Sequence, residues 1–82
     1  MKLINDKQYK NLIGKRLKTA RLKNNLTQQQ VSIKLQTMGV YIDRASISKI
    51  EQCKRIVTDY ELVAFSKLLG VSVSWLLGIE KE

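Results

Sequence analysis

The chain has 82 residues, one cysteine and no histidine, and its fifteen Lys and Arg residues outnumber seven Asp and Glu to give a net charge of +8. This length fits one small domain, residues 1–82, with a modest core and no room for a separate effector-binding domain. One cysteine excludes an internal disulfide, and the absence of histidine removes the usual metal and acid-base sites. We therefore expect no metal, no cofactor and no enzymatic activity.

The charge is unevenly distributed along the chain. Residues 1–55 hold thirteen basic and three acidic side chains, whereas residues 56–82 hold two basic and four acidic ones. This asymmetry favours a polyanionic partner that approaches the first two thirds of the chain. An ordinary solvated surface explains the charge equally well, so the choice depends on the helical pattern.

The first predicted helix spans about residues 6–24. Its apolar stripe consists of Tyr9, Ile13, Leu17 and Ala20, and lysines and arginines surround it. A basic amphipathic helix can also bind a membrane surface, but this one lacks the Trp and Phe of interfacial helices. The N-terminus has no apolar signal-peptide core, and no stretch approaches the roughly 18 apolar residues of a membrane span. We expect a cytoplasmic protein without membrane contact.

Four later segments share one pattern, in which an apolar residue precedes a helix-capping residue and a second apolar residue follows four positions after the cap. The caps are Thr27, Asp43, Thr58 and Ser72. Each combines a capping side chain with a hydrophobic staple. The pattern predicts helices near 28–38, 44–52, 59–69 and 73–77. Together with the first helix, this gives an all-α fold of five helices.

The helix that follows Thr27 is predicted to be half buried. Val31, Leu35 and Met38 recur at helical spacing, so we expect the helix to continue through Met38 and to end at Gly39. The next three residues favour an extended connection.

The helix that follows Asp43 is predicted to bury Ile47 and Ile50. Its remaining positions then face outward, and they carry Arg44, Ala45, Ser48 and Lys49. A short helix with small polar and basic side chains in its first turns can enter the major groove of DNA.

Several fragments occur together in a fixed order: Arg21, Thr27-Gln28, Ile47-Ser48-x-Ile50-Glu51 and Leu69-Gly70-Val71-Ser72-x-x-Trp75-Leu76-Leu77. With these fragments the chain resembles, over about residues 11–78, the phage-repressor helix-turn-helix domain of the Cro and XRE type. The resemblance implies a compact five-helix lambda-repressor-like domain, with its core at about 6–78 and the helix-turn-helix at 27–52. Two departures stand out: the connection before Asp43 is longer than the usual turn of about 3 to 4 residues, and Gln52-Cys53 replaces the usual glycine after Glu51.

The resemblance also implies residue roles. Base contacts are expected from Arg44, Ala45 and Lys49, and less strongly from Ser48. Phosphate contacts are expected from Gln28, Lys54, Arg55, Arg16 and Lys18. Arg21 and Glu51 correspond to a structural ion pair of the family, the alternative being two independent surface charges.

We therefore interpret the chain as a sequence-specific double-stranded DNA-binding transcriptional regulator. The expected form is a homodimeric repressor that acts by operator occupancy, with its dimer contact near the C-terminal helices. The alternative is a protein-interaction module, such as an antitoxin or adaptor, that binds a partner protein through the apolar end near Trp75.

Overall fold

A computed structural model describes residues 8–80. Within this range the chain forms five helices: α1 (Gly14–Lys23), α2 (Gln28–Gln36), α3 (Arg44–Glu51), α4 (Asp59–Leu69) and α5 (Val73–Leu76). The same range contains no strand. The predicted all-α, five-helix fold is confirmed, and α2 to α5 begin at the predicted residues.

The helix starts follow from local capping. Each of the four predicted caps accepts a hydrogen bond from a backbone N–H three residues later: Thr27, Asp43, Thr58 and Ser72. At Thr27 the exchange is reciprocal, because the Gln30 N–H donates to the Thr27 hydroxyl at 3.0 Å and the Thr27 N–H donates to Gln30 Oε1 at 2.8 Å. One such cap contributes about 1 kcal/mol to helix stability. These bonds determine where α2 to α5 begin.

The predicted start of the first helix is wrong, because α1 begins at Gly14 and the described residues before it are not helical. Asn11 determines this start. Its side-chain oxygen accepts from the Gly14 N–H at 2.9 Å, while its amide donates to the carbonyls of Ile50 at 3.1 Å and Arg55 at 2.8 Å. These bonds tie the segment to the end of α3. Tyr9 is consequently 40% exposed instead of continuing a buried stripe, and the predicted start at residue 6 lies outside the described range.

The end of α2 also differs from the prediction. The helix ends at Gln36, and Met38, expected in the buried stripe, is 41% exposed. One closing turn follows, in which Gly39 adopts φ +78° and the Val40 N–H donates to the Leu35 carbonyl at 3.0 Å. This Schellman-type ending satisfies the last carbonyls of the helix. Beyond it, Met38 faces an open groove beside α4.

The exit from α3 has a similar ending built on a different residue. Cys53 adopts φ +62°, and the Lys54 N–H donates to the Lys49 carbonyl at 2.8 Å. The left-handed conformation costs a non-glycine residue roughly 1 to 2 kcal/mol. Cys53 is nevertheless buried, and its sulfur lies against Gly14, where a Cβ atom would come within 2.6 Å of Sγ. The thiol therefore fills space where α1 closely approaches the end of α3.

All five helices contribute to the core, with α1 and α2 packed directly against α3, and α4 packed against α1, α2 and α5. The side chains of the core are all at most 4% exposed: Ile13, Leu17, Ala20, Val31, Leu35, Ile42, Ile47, Ile50, Ala64, Phe65, Leu69 and Leu76. Both isoleucines predicted to form the inner edge of α3 are fully buried. This packing fixes which face of α3 remains outside. No helix within the described range combines the length and apolar character needed to span a membrane.

Candidate nucleic-acid interface

The outer face of α3 carries the residues predicted to contact bases. Arg44, Ala45 and Lys49 are exposed, and Ser48 is half-buried. Ile47 and Ile50 on the opposite face have no exposed surface. Burial of one edge therefore leaves a single outward strip of polar and basic side chains.

Sequence reasoning missed Gln52 as part of this strip. Gln52 is exposed, and its amide donates to the Ser48 hydroxyl at 3.0 Å. Positions four apart on a helix share a face, so Arg44, Ser48 and Gln52 form one row. The spacing of four between these three residues is visible in the sequence, but there Gln52 is assigned only to the exit from the helix.

The N-terminus of α3 is held by Asp43. Its carboxylate accepts from the Ser46 N–H at 2.7 Å, and this bond lowers the pKa of Asp43 below its ordinary value. An aspartate is ionised at neutral pH, and its negative charge at this position stabilises the positive end of the helix dipole.

A second contact sets the position of α3 relative to α2. Ser32 on α2 donates its hydroxyl proton to the Ile42 carbonyl at 2.6 Å, and Ile42 itself is only 3% exposed. The backbone of Ile42, just before the Asp43 cap, is therefore fixed by this hydrogen bond, and its side chain is fixed by burial in the core. Nothing in the local sequence around Ser32 indicated this bond.

Arg21 and Glu51 lie in direct contact. Arg21 Nε is 2.7 Å from Glu51 Oε2, and Nη2 is 3.0 Å from Oε1, so the pair is bidentate. Both residues are buried, with 8% and 9% of their surfaces exposed. Arg21 also donates to the Leu26 carbonyl at 2.9 Å. The hydrogen bond to Glu51 raises the pKa of the Arg21 guanidinium. This pair joins α1, the α1–α2 connection and the end of α3.

Gln28, predicted to contact phosphate, belongs to the same cluster. Its amide donates to Glu51 Oε1 at 3.0 Å, and the residue is half-buried. Glu51 therefore receives hydrogen bonds from both α1 and α2. The first residue of α2 is in this way connected to the last residue of α3.

Of the two basic residues after α3, Lys54 is exposed and Arg55 is half-buried. Arg55 forms two 3.0 Å hydrogen bonds to the carboxylate of Glu61 on α4. These bonds from Arg55 lower the pKa of Glu61. The structure thus connects the α3–α4 loop to the first turn of α4 through Arg55.

The two cationic residues predicted on α1 occupy different surroundings. Lys18 is exposed. Arg16 donates to the carbonyls of Trp75 at 3.0 Å and Glu80 at 3.1 Å, and its guanidinium lies 4.9 Å from the centre of the Trp75 ring. Arg16 therefore packs against the α5 end of the molecule, and Trp75 is half-buried beside the core.

The packed α2–α3 pair, with one polar and basic face of α3 left outside, is the arrangement of a helix-turn-helix DNA-binding domain. A family profile described as helix-turn-helix matches residues 17–76. The match covers most of the chain, which therefore belongs to the helix-turn-helix family of the Cro and XRE type. Comparisons with curated proteins and with solved structures gave no match. The family indicates a DNA-binding transcriptional regulator, a class that is typically not enzymatic.

Proposed function

We propose that the protein is a sequence-specific repressor that binds double-stranded DNA as a homodimer and acts by occupying an operator. The outward strip of α3 supports this most directly. It offers hydrogen-bond donors on a helix of eight residues, whose opposite edge is packed against the rest of the domain. A helix so held presents its N-terminal turns to the major groove.

The exposed side chains of α3 have the chemistry for base contacts. Arg44 and Lys49 can donate to the O6 and N7 acceptors of guanine, and the Ala45 methyl group can pack against the methyl group of thymine. The Ser48 hydroxyl can donate or accept, with Gln52 bonded to it. Four of these five side chains are exposed.

The hydrogen bonds that the five predicted phosphate-contact residues make within the protein indicate which of them are free to contact DNA. Lys54 and Lys18 are exposed, and they provide flexible charges for the DNA backbone. Gln28, Arg55 and Arg16 donate to groups within the protein instead. Those internal bonds favour a structural role for these three residues over the phosphate role that the resemblance implied.

The proposal of a dimer rests on the small number of base pairs that one copy can read. One recognition helix contacts only a few base pairs, so two half-sites about 34 Å apart are needed for useful specificity. Two copies with a net charge of +8 each repel, which favours contact through the less charged C-terminal third. An apolar surface joins Ile56 and Leu77 of this third to Leu12 in the segment before α1, with Leu12 58% and Ile56 67% exposed. It supports a contact near the C-terminal helices.

The test begins with selection of bound duplexes from a random pool, followed by gel shifts with competitor DNA. On the selected site, Lys49→Ala is expected to lose about 1 to 3 kcal/mol and to relax the choice at one base position. Lys54→Ala is expected to weaken binding to all sequences alike and to reduce the salt slope by about one unit. Sedimentation on the selected duplex is expected to show two protomers.

Sequence-indifferent binding by the unmodified protein would refute this function and favour the protein-interaction alternative. If Lys49→Ala kept the full base preference, the outer face of α3 would not be the recognition face. Trp75 lines an open pocket beside Leu69 and Val71, which is compatible with the alternative. The Arg16 guanidinium lies 4.9 Å over the centre of the Trp75 ring and leaves less of the ring free for such a partner.

A further inference from the structure

The connection between α2 and α3 is longer than a usual helix-turn-helix turn. It exposes the side chain of Tyr41, which has no role in the interface proposed for α3. Tyr41 is 76% exposed, whereas its neighbour Ile42 is 3% exposed and Val40 is half-buried. Successive side chains in an extended segment point to opposite sides. Val40 and Ile42 therefore face the core, and Tyr41 faces away from it.

Tyr41 is held in place by backbone bonds on both sides. The Val40 N–H donates to the Leu35 carbonyl at 3.0 Å, and the Ile42 carbonyl accepts from the Ser32 hydroxyl at 2.6 Å. Tyr41 lines a shallow notch that also includes Gln36 of α2. The backbone position of Tyr41 relative to α3 is consequently set by the fold.

The location of this residue relates it to DNA. Tyr41 precedes the Asp43 cap by two positions, so it lies beside the N-terminus of α3, the end that enters the major groove, while α2 crosses the DNA backbone. A phenolic hydroxyl is a neutral donor, and tyrosine is among the side chains that bond phosphate oxygens. Tyr41 and Asp43 line the same notch, so the hydroxyl adds a donor on a side of α3 where the Asp43 carboxylate offers none.

We propose that Tyr41 is a DNA-contact residue whose hydroxyl donates to a backbone phosphate at the edge of each half-site. This inference rests on the proposed function and extends it. The contact sets the depth and register of α3 in the groove without selecting a base itself.

The experiment compares Tyr41→Phe with Tyr60→Phe on the operator selected with the unmodified protein. Tyr60 is a matched control, because it is 82% exposed but lies on α4 in a groove lined by Met38 and Val40, on the other side of the connection. Tyr41→Phe is expected to weaken binding by about threefold to tenfold, the loss of one hydrogen bond. Tyr60→Phe is expected to bind as the unmodified protein does.

Two further readouts identify the contact as one to phosphate. The base preference and the slope of log K against log salt are expected to stay unchanged in Tyr41→Phe, because the lost donor carries no charge. Ethylation of single phosphates is expected to interfere with binding of the unmodified protein at one position flanking each half-site, and this interference is expected to be absent in Tyr41→Phe. Equal thermal melts of the two variants would show that neither exposed hydroxyl affects folding.

The outcomes separate this inference from the function on which it depends. Failure of the unmodified protein to select any site would overturn the proposed function. Selection of a site with equal binding by Tyr41→Phe and the unmodified protein would overturn only the role of Tyr41. An altered preference at one base pair in Tyr41→Phe would also overturn it, since the side chain would then contact a base.

Discussion

The largest expected effect on the stability of the fold comes from breaking the contact between Arg21 and Glu51. Removal of either side chain leaves the other charge buried, because the two residues are only 8% and 9% exposed. Loss of one partner of a buried pair costs about 3 to 5 kcal/mol. In Arg21→Ala, Glu51 keeps only the Gln28 amide of the side-chain donors described above. In Glu51→Ala, Arg21 keeps the Leu26 carbonyl.

The magnitude is large for a domain of this size. At about 0.05 to 0.15 kcal/mol per residue, a chain of 82 residues has a free energy of unfolding of about 4 to 12 kcal/mol. Each single variant is therefore expected to lose about a quarter or more of the total stability. The melting temperature is expected to fall by at least 10 °C, since about 1 kcal/mol shifts it by roughly 4 to 8 °C in small domains.

The assay is a double-mutant cycle in urea with Arg21→Ala, Glu51→Ala and the double variant. A coupling energy of about 1 to 3 kcal/mol is expected, because the two residues are in direct contact. The control is the same cycle on Arg55 and Glu61, whose side chains are 29% and 13% exposed. That pair is expected to give the smaller coupling, since solvent screens an exposed ion pair.

Additive effects of Arg21→Ala and Glu51→Ala would refute the contact. A larger coupling for the control pair would refute the reasoning from burial, even if the first pair were coupled.

Two further predictions concern the packing of α1 and the response to acid. Gly14→Ala is expected to destabilise the protein by about 1 to 3 kcal/mol in urea melts, because the new Cβ would lie 2.5 Å from a backbone oxygen of α3; the gain of up to about 1 kcal/mol in helix propensity is the smaller effect, and increased stability would contradict the close approach. The Arg55–Glu61 pair is expected to stabilise the fold fully above the unfolded glutamate pKa of about 4.3, and this contribution is lost as the pH falls through the lower folded pKa of Glu61. Urea melts between pH 3 and pH 6 would show a smaller loss of stability on acidification in Glu61→Gln than in the unmodified protein, and equal losses would count against the pair.

The starts of α2 to α5 and the two faces of α3 could be predicted from local sequence patterns. A cap such as Thr27 bonds a backbone N–H only three residues away, so all of its partners lie within a single turn. The spacing of Ile47 and Ile50 is equally local. The outward position of Arg44, Ala45 and Lys49 follows from it, since a helix that buries one edge must expose the other.

The start of α1 and the bonding partners of several polar side chains depend on how the helices pack and could not be predicted from the sequence. Asn11 bonds carbonyls 39 and 44 positions later in the chain, and Arg16 bonds carbonyls 59 and 64 positions later. No local pattern can identify such partners, because their proximity exists only after the helices have packed. The apolar stripe around Tyr9 failed to predict the start of α1 for the same reason. Its spacing is compatible with a helix before Gly14, but the bonds from Asn11 to the carbonyls of Ile50 and Arg55 favour a non-helical backbone there.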